Sequence, residues 1–194
     1  MNALSLPEVE NLRALVLENA SELAEEAELL FKHKKFARTY TLAHLSSEEL
    51  AKLPLLAAVG VNLVNGDTIN WSQLDARLRS HSAKLKGSLF VDLLGTNTDP
   101  TTRDIQVHEQ ALSRIELFNE LKNVSLYTGV YQDSIYKPNA AITEKLASEA
   151  LTAARNRLEL FSTVEAVTHG RVAELAKRES YMKLLNTLSV GRDG

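Results

Sequence analysis

Three histidines of this chain stand a few residues after an arginine, and histidine is the side chain whose proton moves most readily near pH 7. His81 follows Arg77 by four positions and precedes Lys84 by three. On a helix these three share one face, while Arg79 points elsewhere. His81 also falls in register with Leu74, Leu78 and Leu85, so its ring is expected to be half-buried. Burial beside two cations disfavours imidazolium and leaves a neutral base near pH 7. The plainer reading of His81 is a core histidine hydrogen-bonded to a neighbour. His108 closes Arg103-Asp104-Ile105-Gln106-Val107-His108 just after Pro100, where a helix N-terminus would bring Arg103 and His108 together. Arg38 and His44 form the third pair, and a continuous helix sets them about 120° apart.

Carboxylates and further cations lie nearby. His44, Glu48 and Lys52 are spaced by four and read as a surface ladder of ion pairs. Glu48 or Glu49 would orient a catalytic histidine if the second and third helices packed face to face. His44 and Glu48 alone are too few to hold a metal. From Asp75 to Gly87, four Arg and Lys stand against one Asp, a local charge of +3.

The elements that must carry these residues are helices. Leu12, Leu15, Val16, Ala20, Leu23, Ala27, Leu30 and Phe31 make a stripe on a first helix from about residue 7 to 32. Glu18, Glu22, Glu25, Glu26 and Glu28 form its solvated face. A second helix is expected from Phe36 to Val59, kinked at Pro54. Asn70, with Gln73 three residues on, caps a third. A fourth is expected from Arg103 to Asn123, and residues 124–142 read as irregular and tyrosine-bearing. Thr143 caps a fifth helix, striped by Leu146, Ala150, Ala153, Ala154, Arg157, Leu158, Phe161, Val164 and Val167. A short last helix follows Gly170. No strand alternation or repeat stands out, so the expectation is an all-α bundle in a single domain spanning residues 1–194.

Composition narrows the function. The chain has 194 residues and no cysteine, which removes disulfides, thiolate metal sites and a cysteine nucleophile. A net charge of −3 argues against a broadly basic nucleic-acid surface but leaves room for a local one. The longest apolar run, Leu53 to Val59, is too short to span a bilayer. No targeting signal stands at the N-terminus, so a cytoplasmic protein with no membrane partner is expected. Phosphate-binding, dinucleotide, serine-hydrolase and zincin motifs are absent, as is the Glu-x-x-His pair of di-iron bundles.

Several blocks in order resemble one family. Asn19-Ala20-Ser21-Glu22-Leu23-x-x-Glu26-Ala27-x-Leu29-Leu30 is followed by Ala37-Arg38-x-Tyr40-x-Leu42-Ala43-x-Leu45-x-x-Glu48-Glu49-Leu50-Ala51-Lys52. Then come Trp71…Arg77-x-Arg79-x-His81-x-x-Lys84-Leu85 and Leu126-Tyr127-x-Gly129-x-Tyr131-x-Asp133, with Pro138 and Ile142-Thr143-Glu144 beyond. Together they resemble the AbiV family, bacterial abortive-infection proteins of the HEPN superfamily. The resemblance implies a HEPN-like four-helix core with additional C-terminal helices, a homodimer, and antiviral arrest of translation. It also implies metal-independent RNA cleavage by an Arg-x(4–6)-His motif, with no cofactor.

Under that resemblance the expected catalytic set is Arg77, His81 and Glu49. Arg77 and His81 depart from the motif with three intervening residues; Arg103 and His108, with four, are the alternative pair. Lys84, Lys52, Glu48 and Arg79 are the expected substrate-binding residues, and no metal is expected. Partners would be RNA or the translation machinery and a phage-encoded activator protein. The competing expectation is a non-catalytic dimer that blocks the translation machinery or a phage protein by binding.

Overall fold

The computed structural model describes residues 2–80, 102–113, 115–131 and 133–178. Among these residues the fold is all-α apart from one small hairpin. Helices α1 (Leu6–Lys32), α2 (Phe36–Leu50), α3 (Leu53–Asn65) and α4 (Trp71–Arg79) come first. Helices α5 (Thr102–Leu112) and α6 (Ile115–Leu126) lead to strands β1 (Gly129–Tyr131) and β2 (Ser134–Tyr136). Helices α7 (Pro138–Ala141), α8 (Glu144–Thr168) and α9 (Val172–Leu175) complete the order.

Helix α1 starts where the sequence puts a cap. The Ser5 backbone N–H and hydroxyl both donate to Glu8 Oε2, at 2.7 and 2.6 Å, and these bonds hold the Glu8 carboxyl below its usual range. The buried face of α1 is Val9, Arg13, Val16, Ala20, Ala24 and Ala27. It is rotated from the expected stripe, for Leu15 is 51% exposed. Alanines let α2 and α8 come close. Ala27, Ala43, Leu151 and Ala154 pack as one cluster, and the Ser46 hydroxyl donates to the Ala20 carbonyl at 2.7 Å. Helix α1 thus lies against α2, α3 and α8, and α2 lies between α1, α6 and α8.

The second expected helix is two helices. Pro54 cannot donate to the carbonyl four residues back, and its ring clashes with it. That residue is Leu50, where α2 ends, and Pro54 sits in the first turn of α3. Helix α3 closes on Gly66 in the left-handed region, φ 74°, with Asp67 N–H bonded to Asn62 O at 2.9 Å. Asn70 does cap α4, its side chain accepting from Gln73 N–H. The fourth expected helix is likewise divided into α5 and α6. At the break the Ser113 hydroxyl bonds back to the Gln110 carbonyl at 2.8 Å, a local bond that competes with helix continuation.

The stretch expected to be irregular contains the hairpin, with Val130 opposite Ile135. Asp133 takes φ 60° at its turn, which the short hairpin loop requires. Two-residue-deep alternation in strands of three was too short to register as a pattern. Thr143 caps α8 as expected, accepting from Leu146 N–H. The buried face of α8 is Ala147, Leu151, Ala154, Phe161, Glu165 and Thr168, so Val164 and Val167 are not part of it; both are exposed. Helix α9 packs Val172 on Ala57 and Val61 of α3.

Candidate functional site

The expected ladder of surface ion pairs on α2 is a buried network instead. Glu48 is 1% exposed and His44 7%. Glu48 Oε1 lies 3.1 Å from His44 Nε2 and 3.2 Å from Lys122 Nζ of α6. The reason is the packing of α6 over this face of α2, which the i,i+4 spacing cannot reveal. Lys52 does not join the ladder; it pairs with Glu49 at 2.5 Å, both half-buried. A carboxylate oxygen only accepts, so Glu48 fixes the proton on His44 Nε2. In the neutral ring the lone pair then sits on Nδ1. This is the carboxylate-oriented histidine that acid–base chemistry uses.

His44 lines a cleft of about 330 Å³ between α2, α6 and α8. Tyr40, one turn before it, stacks on its ring at 6.1 Å between centroids and 21° between planes. Burial pushes the Tyr40 hydroxyl up to about 12. Phe118 and Leu121 of α6 form an apolar wall, and Arg157 of α8 brings a guanidinium to the same cleft. The groups available to chemistry in the cleft are a positioned imidazole, the Arg157 guanidinium and the Glu149 carboxylate beside an apolar wall. Alanines at 43, 150 and 153 keep the cleft open.

The other expected residues are spread around the molecule. Arg38 is exposed and donates to the Leu126 carbonyl at 3.3 Å, so it turns away from His44 as the 120° offset implied. Arg77 is half-buried near the end of α4, whose Trp71, Leu74 and Leu78 pack on the α1–α3 core. Arg79 is exposed and pairs with Asp75. His81 and Lys84 lie outside the described residues. Arg103 is exposed on α5, and His108 is on the same helix with its side chain outside the description. Glu48 is brought together with His44 and Lys122, and Glu49 with Lys52. Lys122 and Arg157 were missed as site residues. In the sequence Arg157 belongs to the α8 stripe, and no local spacing links either of them to His44.

A family model described as AbiV, of the HEPN class, matches residues 8–159. The chain belongs to the AbiV family. The match spans α1 through most of α8, so the cleft of this AbiV-family protein lies inside the family region. Membership associates the chain with abortive-infection defence. No curated protein and no solved structure matches it. Among the described residues, no group of three or more His, Asp or Glu is placed to hold a metal. No helix among them is long and apolar enough to cross a membrane.

Proposed function

We propose that this chain is an anti-phage effector that arrests translation and growth on infection by cutting RNA without a metal. The observation that carries the reading is His44, oriented by buried Glu48 at a cleft that Arg157 also lines. A neutral histidine takes the proton of a ribose 2′-OH. The 2′ oxygen bonds to the adjacent phosphorus as the bond to the 5′ oxygen breaks. The leaving oxygen takes a proton from a second acid, which a homodimer would supply from its paired site. An arginine offsets the charge on the phosphoryl oxygens. The products are a 2′,3′-cyclic phosphate and a 5′-OH.

Two histidines compete for the role of base. His44 has the described geometry behind it. His81 has the family block, with Arg77, Lys84, Arg79 and Lys52 as the proposed phosphate contacts, although α4 ends at Arg79 and Ser80 is extended, so the helix does not run unbroken from Arg77 to His81. Arg103 and His108 stand third. Net charge and the acidic face of α1 favour a second reading, a non-cleaving dimer that blocks the translation machinery or a phage protein by binding. A phage-encoded protein as activator fits either reading.

Sequencing of 5′-OH and cyclic-phosphate RNA ends in phage-challenged cells separates the two. Wild type is compared with His44→Ala, His81→Ala and His108→Ala. New ends that vanish in one soluble, folded variant establish cleavage and name its base. Protection that survives in all three variants, with no new ends in wild type, leaves the binding reading.

A further inference from the structure

Successive turns of α8 bring Glu149, Ala153 and Arg157 to the His44 cleft. The carboxylate and the guanidinium therefore start about 12 Å apart along the helix axis. On α2 the lining residues include Tyr40 and, one turn on, His44. Tyr40 shares an apolar cluster with Leu146 and Ala147, and Ala43 shares the next with Leu151 and Ala154. The two helices thus run the same way along the cleft. Glu149 belongs to the Tyr40 end, the His44 ring to the middle, and Arg157 to the far end.

Carboxylate, imidazole and guanidinium stand in the order of base, ribose 2′-OH and 3′ phosphate in one nucleotide of RNA. We propose that the cleft is selective for a guanosine 3′-phosphate unit and that Glu149 reads its base, an assignment that rests on this cleft being the cutting site. A carboxylate only accepts hydrogen bonds, so it favours the base with two adjacent donors. Guanine alone has them, N1–H beside the N2 amino group. Adenine and cytosine place a ring-nitrogen lone pair beside their amino group, and uracil flanks its single N–H with carbonyls. Each of those three sets a lone pair against a carboxylate oxygen. At the Glu149 end, Leu121 and Leu146 pack with Tyr40 and offer the base an apolar surface. Lys145 stands 3.9 Å from Glu149 and both are exposed. Such a pair holds a carboxylate weakly, so a bidentate base contact would displace it. His44, oriented by Glu48, then meets the 2′-OH, and Arg157 meets the phosphate.

Calorimetric titration of the full chain with the four nucleoside 3′-monophosphates tests this without requiring cleavage. 3′-GMP is expected to bind about tenfold tighter than 3′-AMP, 3′-CMP or 3′-UMP, as one bidentate base contact allows. Glu149→Gln should remove that preference, since its amide turns a donor toward the guanine donors. Glu149 is exposed, so the variant keeps the fold, which its melting curve verifies. Arg157→Met should weaken all four by a similar factor, because each carries the phosphate. Equal affinities in wild type, no saturation with any of the four, or a guanine preference that survives in Glu149→Gln overturns the proposal. Sequencing of RNA ends reads the cutting separately. Guanine-selective binding by a chain that cuts no RNA supports the selectivity and overturns the cleavage reading alone. Cyclic-phosphate ends spread evenly over the four nucleotides support cleavage and overturn the selectivity.

Discussion

His44 shows how one residue changes meaning with its surroundings. In the sequence it is the first member of a solvated ladder; in the fold it sits over a buried carboxylate with a buried lysine across it. Glu48→Gln removes the carboxylate and leaves Lys122 in the interior, so it is expected to cost about 3–5 kcal/mol. The Glu48→Leu/Lys122→Leu double variant should recover most of that loss, since both charges go together. Urea unfolding of the three chains measures the difference. Tyr40 gives a separate readout. Its hydroxyl titrates near 12 in the fold against about 10 in an unfolded chain. The raised value means its contribution to stability is full below pH 10 and is lost as pH climbs through 12. In a tyrosinate absorbance titration, Tyr40→Phe is expected to delete the late-titrating step. Stability of that variant between pH 10 and 12 should fall less steeply than that of wild type.

Element boundaries and buried faces separated in how legible they were. Caps at Asn70 and Thr143 are local hydrogen bonds between near neighbours, and the residue types alone announce them. The buried faces of α1 and α8 were harder because each includes a charged residue. Arg13, 1% exposed, meets Glu165 and Thr168 across the helix pair. Hydrophobic periodicity passes over both Arg13 and Glu165 and shifts each stripe toward leucines and valines that stay at the surface. Only the partner 152 residues away makes either one admissible in the core. Glu165→Ala should therefore cost about 3–5 kcal/mol by leaving a buried guanidinium, whereas Arg13→Met/Glu165→Leu should cost much less. A double-variant cycle in urea measures that coupling. Gly66 makes an element-scale prediction as well. At φ 74° its replacement by Ala strains the α3 terminus by about 1–2 kcal/mol. The unfolding midpoint should drop with an unchanged denaturant slope.

At the scale of the whole molecule, the all-α class was legible because long amphipathic stripes and few glycines leave little else. The hairpin was not, since strands of three residues carry almost no periodic signal. It holds two apolar side chains outward, Val130 at 70% and Ile135 at 87% exposure. The order of blocks from α1 to α8 proved more informative than any single motif, for the family match spans residues 8–159. The candidate site was only partly legible: His44 and Glu48 stand four residues apart, but Lys122 reaches Glu48 from α6 and Arg157 lines the cleft from α8. The proposed cleavage uses the RNA's own 2′-OH as the nucleophile. The most direct measurement takes the chain purified from phage-infected cells, in excess chelator. It is given a labelled oligoribonucleotide and the same oligonucleotide made 2′-deoxy at each cut position. The first should be cleaved to a cyclic phosphate and the second left intact. Cleavage of both, or loss of cleavage in chelator, would contradict it.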